Sequence, residues 1–274
     1  MKMLTRSVAF AILGFFVLLA LLAPLLPLAD AYQMDMMRRF APASFPELFG
    51  HDEYGRSVLS RLVWGTRISL AIAVSSALIA CVIGTALGII AAYLRGFADM
   101  VIMRGADVLL CLPALLLAML FVTIYGPGAA GLVPILALVF VPNFIRVAYS
   151  AVLSVRSLDY VEAARALGAS RGRIMLRTIL PNISAPVLVQ LSLSTASAVV
   201  LESGLSFLGL GVVPPDPSLG MMIGAARSSM MHAPMLLVWP CLVLTALILT
   251  LNGVCDALRD ILDPRPSGGA ASVK

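Results

Sequence analysis

Apolar runs of about 20 residues, the length needed to cross a bilayer, recur along the chain. Six stand out: residues 8–28, 68–93, 101–124, 129–149, 183–201 and 235–254. Each is read as a membrane-spanning helix. The chain is therefore expected to be an all-α, polytopic membrane protein with about six spans. Between the runs lie a polar stretch at 29–67 and a basic, amphipathic island at 159–181.

The first run has Lys2 and Arg6 before it and Ala29-Asp30-Ala31 after it, which is how a cleavable signal ends. A secretory apolar region is about 7–15 residues long. This run is longer, so it is read as a retained span. Six spans put both ends of the chain on one side. Loops on that side carry 13 of the Lys and Arg residues, against 6 on the other. That imbalance places both termini and the 150–181 loop in the cytoplasm.

Composition agrees with this pattern. Apolar residues make up 61% of the chain and charged residues 12%, where a soluble domain has about 25% charged. The net charge of +5 sits in the loops. No long basic stripe is interleaved with aromatics, so nucleic acid is not expected as a partner. Cys81, Cys111, Cys241 and Cys255 form no CxxC pair and read as small apolar residues. His51 and His232 are the only histidines, and neither H-E-x-x-H nor G-x-S-x-G occurs. An enzyme is not expected, and no metal site or cofactor is assigned to this chain.

Some residues inside the runs carry further information. Gly84 and Gly88 form a GxxxG pair in the second run. Such a pair lets backbones approach closely, either within the subunit or at a dimer face. Pro113, Pro134, Pro142, Pro186 and Pro240 interrupt or begin runs and are expected to bend helices. Asp107 is the clearest acid inside an apolar run, and needs a helix partner, a water path or an interfacial position. Glu202 and Arg227 flank the loop between the last two spans, with His232 nearby. They are candidates for a substrate pathway at its external mouth, or for a structural ion pair.

In the island, Asp159 is placed to cap a helix, with Glu162 three positions later as its capping-box partner. Val161, Ala164 and Leu167 then share one face. Gly168 suits the left-handed position after a helix. Ser170 can cap a second helix running to Leu180, and Pro181 marks the turn into the fifth span. The spacing predicts two short helices meeting at a glycine corner. Such a corner can transmit force between spans, or it can be a surface element that only satisfies the positive-inside bias.

The island reads Glu162-Ala163-Ala164, three residues, Gly168, then a basic stretch ending Ile179-Leu180-Pro181. It resembles the EAA loop of ABC importer permeases. Three further stretches are similar to the C-type permeases of dipeptide, oligopeptide and nickel importers. LFGHDEYGRSVLSRLVWGTRISL (48–70) resembles FGTDxxGRDVLSRLxxGxRxSL. ESGLSFLGLG (202–211) resembles EASLSFLGLG, and the ending LNGVCDALRDILDPR resembles NLLGDGLRDxLDPR. His51, Ser57 and Gly204 depart from those patterns.

This resemblance implies an ABC importer type I permease fold. Residues 1–66 would form an N-terminal span and external loop, and 67–274 the transmembrane domain with its coupling loop at 150–181. Glu162, Ala163, Ala164, Leu167, Gly168, Ile179 and Pro181 would couple it to an ATPase. The implied partners are a second permease, two ATP-binding subunits, a periplasmic or lipid-anchored solute-binding protein and membrane lipid, at a bacterial inner membrane. ATP and magnesium would be bound by the partners, since this chain has no G-x-x-x-x-G-K-[ST] loop. The cargo implied is a peptide, with nickel, glutathione or another small solute as alternatives. A secondary transporter would need no EAA loop, and would be expected to show internal repeats, which are not seen.

Overall fold

The computed structural model describes residues 2–45 and 47–262. Among these residues eleven α-helices follow in order: α1 (Lys2–Leu22), α2 (Val58–Leu94), α3 (Gly96–Leu110), α4 (Ala114–Tyr125), α5 (Ala129–Val155), α6 (Asp159–Ala166), α7 (Arg171–Ile174), α8 (Leu180–Asn182), α9 (Ser184–Phe207), α10 (Leu219–Ala226) and α11 (Met235–Leu262). No strand is present among the described residues. Five segments are long and apolar enough to cross a membrane. The bent pair α3–α4 makes a sixth if it counts as one span.

That pair departs from the expected third span. The apolar run at 101–124 is not one rod, because α3 and α4 meet at 91°. Pro113 stands at the break, with φ −56° and ψ 131°. Its ring disfavours helical backbone at the residue before it and removes a helix N–H. Pro134, Pro142 and Pro240 are instead accommodated inside α5 and α11. A hydropathy run counts apolar side chains and does not register which proline ends a helix.

The second span is longer than its apolar run. α2 has 37 residues and begins at Val58, and it runs unbroken across positions 66 and 67. At 1.5 Å per residue it measures about 55 Å, well beyond the ~30 Å apolar core of a bilayer. Ser57 caps it, its hydroxyl accepting from the Ser60 N–H at 3.3 Å. Arg61 and Arg67 in the first turns lower the hydropathy there, but each finds a backbone acceptor. Arg61 Nη1 donates to the Ala31 carbonyl at 3.1 Å, and Arg67 Nη1 to the Ala20 carbonyl at 3.3 Å.

α2 packs most extensively on α5, and the GxxxG pair is the reason. A Cβ on Gly84 would lie 2.5 Å from Phe144 Cβ and 2.6 Å from the Val141 carbonyl. One on Gly88 would lie 2.6 Å from the Ile145 carbonyl and 2.8 Å from Ala148 Cβ. Only glycine permits this approach, so the pair serves packing within the chain. The contacts advance together along both helices, so α2 and α5 run parallel. Phe144, Leu136 and Ala73 are fully buried around this seam.

The bundle has two unlike ends. At one, Arg156 Nη1 donates to the Ala92 carbonyl (3.2 Å) and Tyr149 Oη to Asp99 (3.1 Å), joining the ends of α5 and α2 to the start of α3. Helices α6–α8 lie at this end. At the other, residues 23–57 and 208–234 fold over the helices. Phe49 stacks on Trp239 with centroids 4.3 Å apart, and Tyr32 Oη donates to Asp216 at 3.1 Å.

Candidate functional site: the exposed elbow and the buried cap

At the elbow, Leu158 rather than Asp159 precedes α6, and no side chain caps the helix. Asp159 and Glu162 instead occupy its first turn, where acids favour the positive end of the helix dipole. The C-terminus closes by two bonds, Ala169 N–H to the Ala164 carbonyl (3.1 Å) and Gly168 N–H to the Arg165 carbonyl (3.0 Å). This is the Schellman arrangement. Gly168 has φ +78°, as its place after the helix requires.

The faces of α6 sort differently from the expected stripe. Val161 is fully buried, and Ala164 packs against the same core. Leu167 does not join them and is 88% exposed. It follows the last helical residue, and at ψ 6° the chain after it leaves the helical path. Glu162, Ala163, Leu167 and Gly168 are thus gathered on one exposed surface, with Arg171, Arg173 and Arg177 also exposed. Arg165 reaches back over the Tyr93 ring, 6.0 Å from its centroid, tying α6 to the end of α2.

The second arm is not the single helix expected up to Leu180. Ser170 does cap α7, accepting from the Arg173 N–H at 3.4 Å. After four residues the chain widens into a π-helical stretch, Met175–Ile179, before α8. Pro181 accounts for the widening. It lacks the N–H that would bond the Arg177 carbonyl, and its ring would clash there in a regular α-helix. Ile174, Ile179 and Ile183 are buried and fasten this arm to the bundle. Ile179 is thus an anchor, while Pro181 is exposed.

Glu202 and Arg227 are not brought together. Arg227 is exposed on the turn after α10, and no ion pair joins the two among the described residues. Glu202 is 0% exposed, inside the bundle rather than at a mouth. Ser206 Oγ donates to Glu202 Oε1 at 2.7 Å, and Ser203 Oγ to Oε2 at 3.3 Å. The hydroxyls of Ser69 and Ser218 lie beside the same carboxyl. Ser206 Oγ also accepts from the Val212 N–H at 3.1 Å. The group therefore links α9 to the loop that follows it. The signal for it was a serine one turn after Glu202.

Sequence reasoning also missed a charge cluster in the cap. Asp52 Oδ1 accepts from the backbone N–H groups of Tyr54 and Arg56, both at 2.9 Å. Its Oδ2 lies 2.7 Å from Arg56 Nε and 3.6 Å from Arg61 Nε. All three side chains are close to fully buried. The i, i+4 spacing of Asp52 and Arg56 was the available clue. Ser57, one of the departures from the family pattern, both caps α2 and donates to the Glu47 carboxylate. Asp107 finds its partner in Arg146 of α5, at 2.7 Å, with both side chains about half-exposed on the flank of the bundle.

The family described as binding-protein-dependent transport system inner membrane component matches residues 84–268. The dipeptide transport system permease DppC of Haemophilus influenzae is 36% identical over 90% of this chain and 86% of its own length. The glutathione transport system permease GsiD of Pectobacterium atrosepticum is 38% identical over 96% and 89%. The di/tripeptide transport system permease DppC of Pseudomonas aeruginosa is 42% identical over 81% and 74%. In solved structures, a chain of the MetNI methionine ABC transporter, in an inward-facing form, superposes with a TM-score of 0.61. It is 18% identical and covers 74% of this chain and 96% of its own, a likeness of fold. A bundle of spans with an EAA-type elbow at one end, matched by family and by relatives, shows that the chain belongs to the binding-protein-dependent transport inner-membrane components, among the permeases of the dipeptide/oligopeptide type.

Proposed function

We propose that this chain is one of two permeases in an ATP-driven importer of small peptides, and that its elbow is where an ATPase subunit docks. The observation that carries the reading is the elbow itself. Its inner residues Val161, Ala164, Ile174 and Ile179 are held by the bundle, while Glu162, Ala163 and Leu167 face outward on a short helix. A rigid element joined directly to α5 and, through α8, to α9 passes a push to both spans. The lysine and arginine distribution supports a cytoplasmic position for this end, which would leave the cap to a solute-binding protein on the far side.

The Asp107–Arg146 pair supports a second permease. A half-exposed ion pair on the flank of membrane-spanning helices is costly against lipid. That flank is better covered by a partner subunit or by the water-filled path between the two. The peptide cargo rests on the likeness to dipeptide and di/tripeptide transport permeases, and the glutathione relative keeps that tripeptide in the test set.

The test is uptake of a labelled dipeptide into right-side-out vesicles loaded with ATP, carrying this chain with its co-encoded subunits and supplied outside with the solute-binding protein. ATP-dependent uptake is expected, competed by unlabelled dipeptide. Uptake that is unchanged without the ATPase subunits overturns the importer reading. ATP-dependent uptake of glutathione or nickel alone overturns the cargo.

A further inference from the structure

A cavity of about 300 Å³ opens in the cap between residues 52–61, α10 and the start of α11. Its walls are of two kinds. Met34, Met221, Met222 and Leu236 are apolar, and Arg56 and Arg61 are basic. The arginine side chains are 8% and 2% exposed, so these charges are built into the wall rather than waving over it.

Between them the two guanidiniums have one close carboxylate, Asp52. It takes Arg56 Nε at 2.7 Å and stands 3.6 Å from Arg61 Nε, while Arg61 Nη1 goes to the Ala31 carbonyl. The remaining terminal nitrogens of the two groups have no acceptor within the chain among the described residues. Arg56 lies flat over the Tyr54 ring, 4.6 Å from its centroid, which fixes the plane of its fork. Glu53 also lines the cavity. Burial, and then the neighbouring Asp52, push its carboxyl above the ordinary range.

We infer that this cavity is a receptor for a carboxylate carried on a small apolar group, with Arg56 and Arg61 as its donors and the methionines as its packing surface. A planar guanidinium held in place offers paired N–H donors that a carboxylate accepts with two oxygens. Methionines adapt to side chains of varied shape. The carboxylate can belong to a free solute or to an acidic side chain of a docking polypeptide; the chemistry of the pocket is the same. The inference stands on the cavity and does not depend on the importer reading.

Thermal unfolding of the purified full-length chain in nanodiscs, without any partner subunit, tests this. The probes are dialanine, dialanine amide, and a tripeptide Ala-Glu-Ala blocked at both ends. Dialanine is expected to raise the unfolding temperature saturably, with an apparent affinity about tenfold or more above that of its amide. Stabilisation by the blocked tripeptide alone supports the pocket and assigns it to a protein side chain. Met222→Trp fills the cavity without touching the arginines, and should abolish the shift while leaving the unliganded unfolding temperature close to wild type. Arg56→Lys, which keeps the charge and loses the fork, should weaken dialanine about tenfold. Equal shifts with dialanine and its amide, or an undiminished shift in Met222→Trp, or no shift with any probe, overturn the inference.

Discussion

The two ends of the bundle use the same residue types in opposite ways. At the elbow, charged and apolar side chains point outward, and a Cβ added to Gly168 would meet nothing within 4 Å. In the cap, Asp52, Arg56 and Arg61 point inward, and several glycines sit where no Cβ fits. A Cβ on Gly55 would lie 1.7 Å from the Asp35 carbonyl, one on Gly211 2.1 Å from Ser206 Oγ, and one on Gly220 2.1 Å from the Ser203 carbonyl. The corner at Gly168 is set by backbone torsion, with buried side chains only on the bundle side, and leaves its outer surface free. The cap is shaped largely by contact between distant segments. Substitutions at the cap should therefore cost stability, and substitutions at the elbow should cost function.

The largest stability effect is expected at Asp52. Its removal leaves Arg56 and Arg61 buried without their shared carboxylate, and unpairing a buried charge costs about 3–5 kcal/mol. Asp52→Ala should lower membrane accumulation and the unfolding temperature sharply. Asp52→Asn, which keeps the backbone acceptor to Tyr54 and Arg56, should recover part of the loss. A near-wild-type unfolding temperature for Asp52→Ala would remove the main distinction between the two ends.

Gly220→Ala is the next test. The new methyl would press on the Ser203 backbone beside the Glu202 group, and overpacking of this kind costs about 1–3 kcal/mol. The expected result is a lower unfolding temperature, with transport falling only in proportion to the amount of folded protein.

How far these features were legible in the sequence follows the same division. The elbow could be read because its logic is local: a glycine after a short helix, a serine cap at Ser170, a proline before α9. Where the reading failed there, at Leu167 and at the π stretch, the cause was the end of a helix or the geometry of Pro181, which periodicity does not carry. The cap could not be read in this way. Arg61 meets the Ala31 carbonyl and Asp52, and Glu202 lies beside Ser69 and Ser218; all but the Asp52 contact join segments far apart in the chain. An acid near the end of an apolar run reads as a boundary residue, at a mouth or in an ion pair, whereas Glu202 is fully buried. Its burial is tertiary, made by serines arriving from α2 and from the loop before α10. The 91° bend at Pro113 was hidden for a related reason, since both arms are apolar.

Gly168→Ala sharpens the comparison from the elbow side. The site is roomy, so the cost is only that of holding a side chain at φ +78°, about 1 kcal/mol. The protein should accumulate normally. If the corner sets the angle of the docked helix, peptide uptake should fall well below what that small loss of stability explains. Uptake that tracks accumulation would mean that the angle does not matter.

The smallest effect on stability, and the clearest on function, is expected at Leu167. At 88% exposure, its replacement by aspartate should change stability by less than about 0.5 kcal/mol. Ala164→Asp is a poor probe of docking, because Ala164 faces the bundle, and a buried carboxylate there would damage the elbow's own anchor. Leu167→Asp and Ala163→Asp leave that anchor alone. Each puts a charge where an apolar contact with an ATPase would have to desolvate it. Co-purification of the ATPase subunits should fall at least tenfold in both variants, with the unfolding temperature of the permease unchanged. The control is Leu176→Asp on the second arm, also exposed at 66%. It distinguishes docking through α6 alone from docking through both arms. If Leu167→Asp and Ala163→Asp keep the ATPases bound and uptake intact, the exposed face of α6 is not the contact, and the contrast between a free end and a closed end describes packing without assigning a partner.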